Sequence, residues 1–326
     1  MLQSRLELFT SNVQSMKTGF TWQNALTKRM VALLYTQEGK SVDCEMVRDC
    51  HNLIKQSTGP FSTFRGNMAL CVAAMLSLSP NPQRLFEETL QVYDLLKHAK
   101  FYASDFLVVA AFEIAKQSAP AGFENIVNRA REFYNGMKAR NFFLTGQDDY
   151  IFSAMLGLAD LDVMAGTERM EQIYDRMKSE FWDKNSVQTL SQVLVLGGFD
   201  DSADRILALR NALREQKIKL DKTYTLSSLG VLSLLPVEID TIVRDIGVAQ
   251  DYLRTQKGFG SLSVSTQELL LYAVAIVANE YAQNMKDGIL TATLSTSITN
   301  IIIAQHVAMV AAISASTAGA AASSSS

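Results

Sequence analysis

Six stretches of the chain are apolar nearly all round, and each lies beside a segment whose apolar residues recur every three or four positions. The first set comprises NMALCVAAMLSL (67–78), DFLVVAAFEIA (105–115), YIFSAMLGLA (150–159), VQTLSQVLVL (187–196), YTLSSLGVLSLL (224–235) and ELLLYAVAIVA (268–278). Such composition predicts buried helices, with Ala and Ser content and length favouring helix over strand. The second set carries Ile126, Ala130, Phe133 and Met137 in one segment and Ile242, Ile246, Ala249 and Leu253 in another. That spacing predicts amphipathic outer helices with one buried stripe. Breakers separate the pairs at Ser79-Pro80-Asn81-Pro82, Ala119-Pro120-Ala121-Gly122 and Gly197-Gly198, and capping residues such as Ser104 open the inner helices.

A short pattern recurs at the end of each amphipathic segment: YDLLKHAKF at 93–101, YNGMKARNF at 134–142 and YDRMKSEFW at 174–182. Weaker copies place basic residues in register at Lys55, Arg214 and Arg254. With Lys97, Lys138 and Lys178 the six anchors are spaced by 42, 41, 40, 36 and 40 residues. Two-helix repeats run roughly 34–47 residues per unit, so the pattern predicts an all-α, right-handed solenoid-like stack of about six helical hairpins with a period near 40. Residues 1–20, amphipathic through Leu2, Leu6, Phe9 and Val13, are read as an N-terminal capping helix. The hairpin repeats are read over 21–284, and an uncharged C-terminal helix with an Ala/Ser-rich tail over 285–326.

Charge narrows the partners. With 30 Lys and Arg against 33 Asp and Glu, the net charge is −3, and no overall basic excess offers itself to a phosphate backbone, so no nucleic acid is expected. The first residues do not have the basic and apolar regions of a secretion signal, and three cysteines, Cys44, Cys50 and Cys71, are read as reduced thiols, so a cytoplasmic location is expected. From Gly288 to Ser326 there is no charged residue, and 289–313 is long enough to span a bilayer. Asn300, Gln305, His306 and many Ser and Thr argue against insertion. The preferred reading there is a packed helix, with self-association through Leu294, Ile298, Ile301, Ile302 and Met309 as the other use of the segment.

Candidate chemistry is sparse. His51, His98 and His306 have no metal-binding spacing, Cys44, Cys50 and His51 lack the close cysteine turn of zinc sites, and no metal or cofactor is expected. No G-x-S-x-G, G-x-G-x-x-G or phosphate-loop pattern occurs. Asp148 and Asp149 form an acid pair that reads first as a helix-start cap and second as acid and base or a cation site. Tyr93, Tyr134 and Tyr174 read as packing between repeats, with a ligand-stacking ladder as the alternative. Arg65 and Asn67, in Gly59-Pro60-Phe61-Ser62-Thr63-Phe64-Arg65-Gly66-Asn67, are either structural or a ligand contact on the concave face.

The Gly59-Pro60-Phe61 turn followed by Phe64-Arg65-Gly66, together with the tail from Ala304-Gln305 through Met309-Val310-Ala311-Ala312, resembles an uncharacterised bacterial family, domain of unknown function 4003. The resemblance implies a bacterial cytosolic protein over nearly the whole chain and assigns no catalytic residue. The leading expectation is a non-enzymatic scaffold that binds a protein or peptide along its concave face. An enzyme or small-molecule binder with an acidic/Arg cleft formed by Asp148, Asp149 and Arg65, and a membrane-associated protein acting through the C-terminal segment, are the rival readings.

Overall fold

A computed structural model describes residues 2–198, 202–222, 225–284 and 300–303, and the described chain is helical with no strand. The helices are α1 (Leu2–Gly19), α2 (Ala25–Gln37), α3 (Cys44–Ser57), α4 (Ala69–Ser77), α5 (Pro82–His98), α6 (Asp105–Gln117) and α7 (Phe123–Arg140). The second half comprises α8 (Tyr150–Leu158), α9 (Val163–Met177), α10 (Lys184–Leu196), α11 (Ser202–Glu215), α12 (Leu226–Ser233), α13 (Ile239–Thr255) and α14 (Thr266–Asn284). Short 3-10 turns at Thr63–Arg65 and Gln147–Asp149 lead into α4 and α8. Capping chemistry sets many starts: Asn24, Asp43, Asn81, Ser104, Asp162 and Asp183 each accept from backbone N–H groups of the first turn.

Consecutive helices pair as α1/α2, α3/α4, α5/α6, α7/α8, α9/α10, α11/α12 and α13/α14, which makes seven hairpins among the described residues. Even-numbered members are buried on every side: in α4, Ala69 through Leu76 are all buried, as are Leu107 through Ala115 in α6. Odd-numbered members bury one stripe, for example Ile242, Val243, Ile246, Ala249 and Leu253 of α13. The odd helices therefore form an outer layer around an inner one, and each outer helix packs on the next outer helix. Along the inner layer α4 reaches α6 through the Thr63–Arg65 turn, and Asn67 hydrogen-bonds Asp105.

The row closes on itself. α1 packs on α13 and α14, and α2 packs on α14, so the first hairpin sits beside the last. Phe9 lies 5.7 Å from Phe259 and 5.3 Å from Tyr272, ring centre to ring centre. Arg29 of α2 donates to Glu268 of α14 at 2.7 Å, and Tyr272 donates to the same carboxylate oxygen at 2.7 Å. Arg5 of α1 pairs with Glu280 at 2.5 Å and also reaches Gln283.

This arrangement differs from the expected stack in two ways. Residues 2–19 are no end cap but the outer helix of a first hairpin, so seven units replace about six. The meeting of the ends replaces an open stack and its concave flank with a closed ring, because a solenoid whose ends bury apolar surface on each other has no terminal repeat left to cap. The helical turn Asn300–Ile303 is buried in the core, with Ile301, Ile302 and Ile303 at most 4% exposed. Leu294, Ile298 and Met309 lie outside the described residues.

Candidate functional site

Every hairpin runs out along its outer helix and back along its inner one, so the outer-to-inner connections share one end of the ring. Direct contacts tie them together there. Tyr93 at the end of α5 donates to Thr63 at 3.2 Å, the Tyr102 backbone donates to the Tyr150 hydroxyl at 3.3 Å, and Asn185 donates to Asp148 at 2.7 Å. Arg210 donates to the Glu180 carbonyl at 3.3 Å, and Gln14 donates to the Lys257 carbonyl at 3.0 Å, joining the last connection to the first outer helix.

Six of the seven connections share one local rule. Where the outer helix ends, the chain reverses and drives one apolar side chain into the core: Phe20, Phe64, Phe101, Phe181, Ile218 and Phe259 are all buried, whereas the connection after α7 buries Thr145 instead. Lys100 (φ 69°) and Lys217 (φ 61°) occupy the same left-handed position in two such turns. The next backbone N–H then bonds back to the helix, Phe101 to Leu96 at 3.1 Å and Ile218 to Leu213 at 2.9 Å. With that side chain turned inward, a neighbour is turned out. Trp22 is 99% exposed, Phe61 100%, Trp182 97% and Leu262 103%, joined by Tyr102, Phe142 and Phe143. Six of the seven connections thus carry an exposed bulky apolar side chain, and every exposed aromatic residue among the described residues is on this end.

The same end is basic. Over the last four residues of each outer helix and the connection after it, Lys and Arg number 15 against 7 Asp and Glu. Among the described residues the corresponding six inner-to-outer segments hold 2 against 5. The connection between α11 and α12, which has no exposed bulky apolar side chain among its described residues, carries exposed Lys217, Lys219 and Lys222. Cations at helix C-termini also complement the helix dipoles, which gives part of the asymmetry a structural cause.

The residues singled out in the sequence are distributed around this end. Tyr93 and Tyr134 are buried: Tyr93 packs edge-on against Phe64 and Phe86 lies beside that ring, while Tyr134 packs against Phe101 and Tyr150. Tyr174 is half-buried against the core. In all three copies the Lys four residues on lies over the ring, Lys97, Lys138 and Lys178 at 5.9, 5.5 and 5.8 Å. Arg65 donates to Thr58 Oγ1 at 3.2 Å and to the Lys55 and Thr58 carbonyls, closing the end of α3. It also lines a shallow cavity of about 340 Å³ with His51, Lys55 and Asn67.

Asp148 and Asp149 start α8. Asp149 is fully enclosed, accepting from Gly146 N at 2.9 Å, Gln192 at 2.6 Å and Gln188 at 3.1 Å. Burial, and then the charge of Asp148, push its carboxyl up to about 7. That shift arises in a packed interior: neither acid lines a described cavity, and Arg65 belongs to a different one. Among the described residues no three of His, Cys, Asp and Glu converge as metal ligands, and no helix is long and apolar enough to cross a membrane. At the opposite end of the ring, a cavity of about 510 Å³ opens between the ends of α2, α4 and α6, lined by Leu34, Met75, Arg84, Leu85, Lys116 and Ile303.

The exposed aromatic residues were the signal the repeat pattern only partly contained. The aromatic four residues after the anchor is buried at Phe101 but exposed at Phe142 and Trp182, so sequence alignment alone merges inward and outward positions.

Fold and site together define an all-α protein of paired helices with one aromatic, basic loop end. Over residues 12–307 the sequence matches the family described as protein of unknown function (DUF4003), and the chain belongs to that family. No curated protein and no solved structure matches the chain.

Proposed function

We propose that this protein is a non-enzymatic binding scaffold whose working surface is the ring end made by the outer-to-inner connections. One observation carries the reading: six connections each hold out a bulky apolar side chain, and in five of them a neighbouring apolar side chain fills the core. Isolated apolar residues are ordinary on a surface, but a set gathered on one end of a molecule marks an interaction surface. The ring construction supports this surface over a concave flank, because the inner helices are buried on all sides and leave no open inner wall. A rigid scaffold carrying variable tips on its loops is the usual way a fold hosts recognition.

Photo-cross-linking in the native cell tests the reading. A photoreactive amino acid at Phe61, Phe143 or Trp182 is expected to capture macromolecules or lipid. The same group at Met164, exposed at the start of α9 on the opposite end, is expected to capture little. Equal capture from both ends, or none from either, would count against the proposal.

A further inference from the structure

The preceding proposal names a surface, and resting on it we infer that what this surface meets is an anionic lipid bilayer. Three features of the loop end select that partner. The first is shape. Trp22, Phe61, Phe143, Trp182 and Leu262 stand on five separate connections distributed around a ring, each at a tip and nearly or fully exposed. A peptide or a helix is recognised by apolar residues lining a groove. Tips spread around a ring instead suit a broad, deformable surface that accepts each one independently. The second is chemistry. Trp, Tyr and Phe combine an apolar body with a polarisable ring, and Trp and Tyr favour the headgroup boundary of membranes.

The third is charge. Lys17, Lys55, Lys100, Lys217, Lys219 and Lys257 are exposed on the same end and form no ion pair among the described residues. Each Lys near an anionic leaflet adds attraction that decays within a Debye length. The acidic excess of the opposite connections turns that end away, so the chain approaches loop end first although its net charge is −3. A nucleic acid would use the same cations, but it would need aromatic residues along a groove for stacking rather than on scattered tips. Docking is peripheral: tips enter the headgroup region while the folded ring stays outside it.

The chain supplies its own reporter, because its two tryptophans, Trp22 and Trp182, are both on this end and 99% and 97% exposed. Full-length protein is mixed with vesicles of phosphatidylcholine alone or of phosphatidylcholine with phosphatidylglycerol, at low and at physiological salt. Tryptophan emission and co-sedimentation are read together. With the anionic vesicles the emission is expected to shift to the blue and the protein to sediment. Affinity is expected to fall roughly tenfold or more without the anionic lipid, and to fall as salt rises. Replacing Phe61, Phe143 and Leu262 together by Ser is expected to weaken binding roughly tenfold or more with the melting temperature unchanged. Met164→Ser is expected to bind as the parent does.

Failure to bind anionic vesicles at low salt would overturn the lipid inference, as would a triple variant that binds unchanged, since charge alone would then explain attachment. Binding to soluble polyanions with equal affinity and no dependence on the tips would overturn it as well. If vesicles fail but cross-links from Phe143 and Trp182 capture a protein and those from Met164 do not, the docking surface stands and only its lipid partner is wrong. If those cross-links fail too, both proposals fall.

Discussion

Arg29 and Glu268, 239 positions apart in the chain, meet at 2.7 Å inside the protein. Their side chains are 10% and 11% exposed, and Tyr272 donates to the same oxygen, so the contact is a largely dehydrated, shared ion pair between the first hairpin and the last. Removing one partner of a buried pair strands the other, which typically costs about 3–5 kcal/mol. Glu268→Ala and Arg29→Ala are each expected to lower stability by that order in urea unfolding. A double variant should fall well short of the sum, because the second substitution strands nothing new. Additive losses, or single losses below about 1 kcal/mol, would show that the ends do not depend on this pair.

How legible this architecture was depends on the range of the interactions. The all-α class and the hairpin period follow from local periodicity, which the Tyr-to-Lys segments at 93–97, 134–138 and 174–178 record directly. In the structure these same pairs are rings with a lysine above them. The first hairpin was also written in the chain. Met16-Lys17 followed by Phe20 parallels Met137-Lys138 and its loop, but the leading Tyr is Val13, so the copy is easily taken for a cap. Closure is another matter. It rests on contacts across nearly the whole chain, and the local hint was only that Arg29 and Glu268 are charges within segments otherwise destined for burial. Asp149 shows the same limit: two acids at a helix start read as a cap, while its donors Gln188 and Gln192 come from a different hairpin.

Gly157 lies where α8 crosses α7. A Cβ there would meet the Ile126 carbonyl oxygen at 2.8 Å and the Ala130 nitrogen at 2.9 Å, backbone atoms that cannot swing aside. Gly157→Ala is therefore expected to cost about 1–3 kcal/mol by overpacking, despite the better helix propensity of Ala. Gly247, inside α13, has nothing within 4 Å of the same position, and Gly247→Ala is expected to gain up to about 1 kcal/mol. Thermal unfolding of the two variants gives opposite signs if the hairpin packs as described; a neutral or stabilising Gly157→Ala would contradict that helix contact.

The carboxyl of Asp149 is raised from 3.8 to about 7 by burial and then by Asp148, so the folded protein holds a proton there that the unfolded chain releases. Stability from this group is full below about pH 4 and is lost as the pH rises through 7, opposite in sign to an exposed salt-bridged acid. Glu113, buried on α6 with one carboxylate oxygen lacking a partner, is raised by burial in the same direction. Stability is expected to fall by at least about 2 kcal/mol between pH 5 and pH 8, and Asp149→Asn is expected to flatten much of that slope. The Asn amide would also offer a donor to Gln188 Oε1 or Gln192 Oε1, which lack one. A variant with the parent's pH slope would place the titration elsewhere.

The cysteines test how tightly the ring is packed in its first two hairpins. Cys71 is fully buried on α4 and Cys50 is 2% exposed on α3, and burial pushes their thiols up to about 12 and about 11. Cys44 is half-buried at the start of α3, with its thiol raised by burial less completely and its Sγ 3.7 Å from the Ser15 carbonyl. Since the thiolate is the reactive form, a group with a value near 12 is roughly one part in ten thousand reactive at pH 8 even before access is considered. Titration with a disulfide reagent is expected to modify at most one thiol quickly, abolished in Cys44→Ser and unchanged in Cys71→Ser. The other two should react only as fast as the protein opens, so their rate measures opening of the α3/α4 hairpin. Three fast equivalents would mean that this part of the ring is not closed in solution.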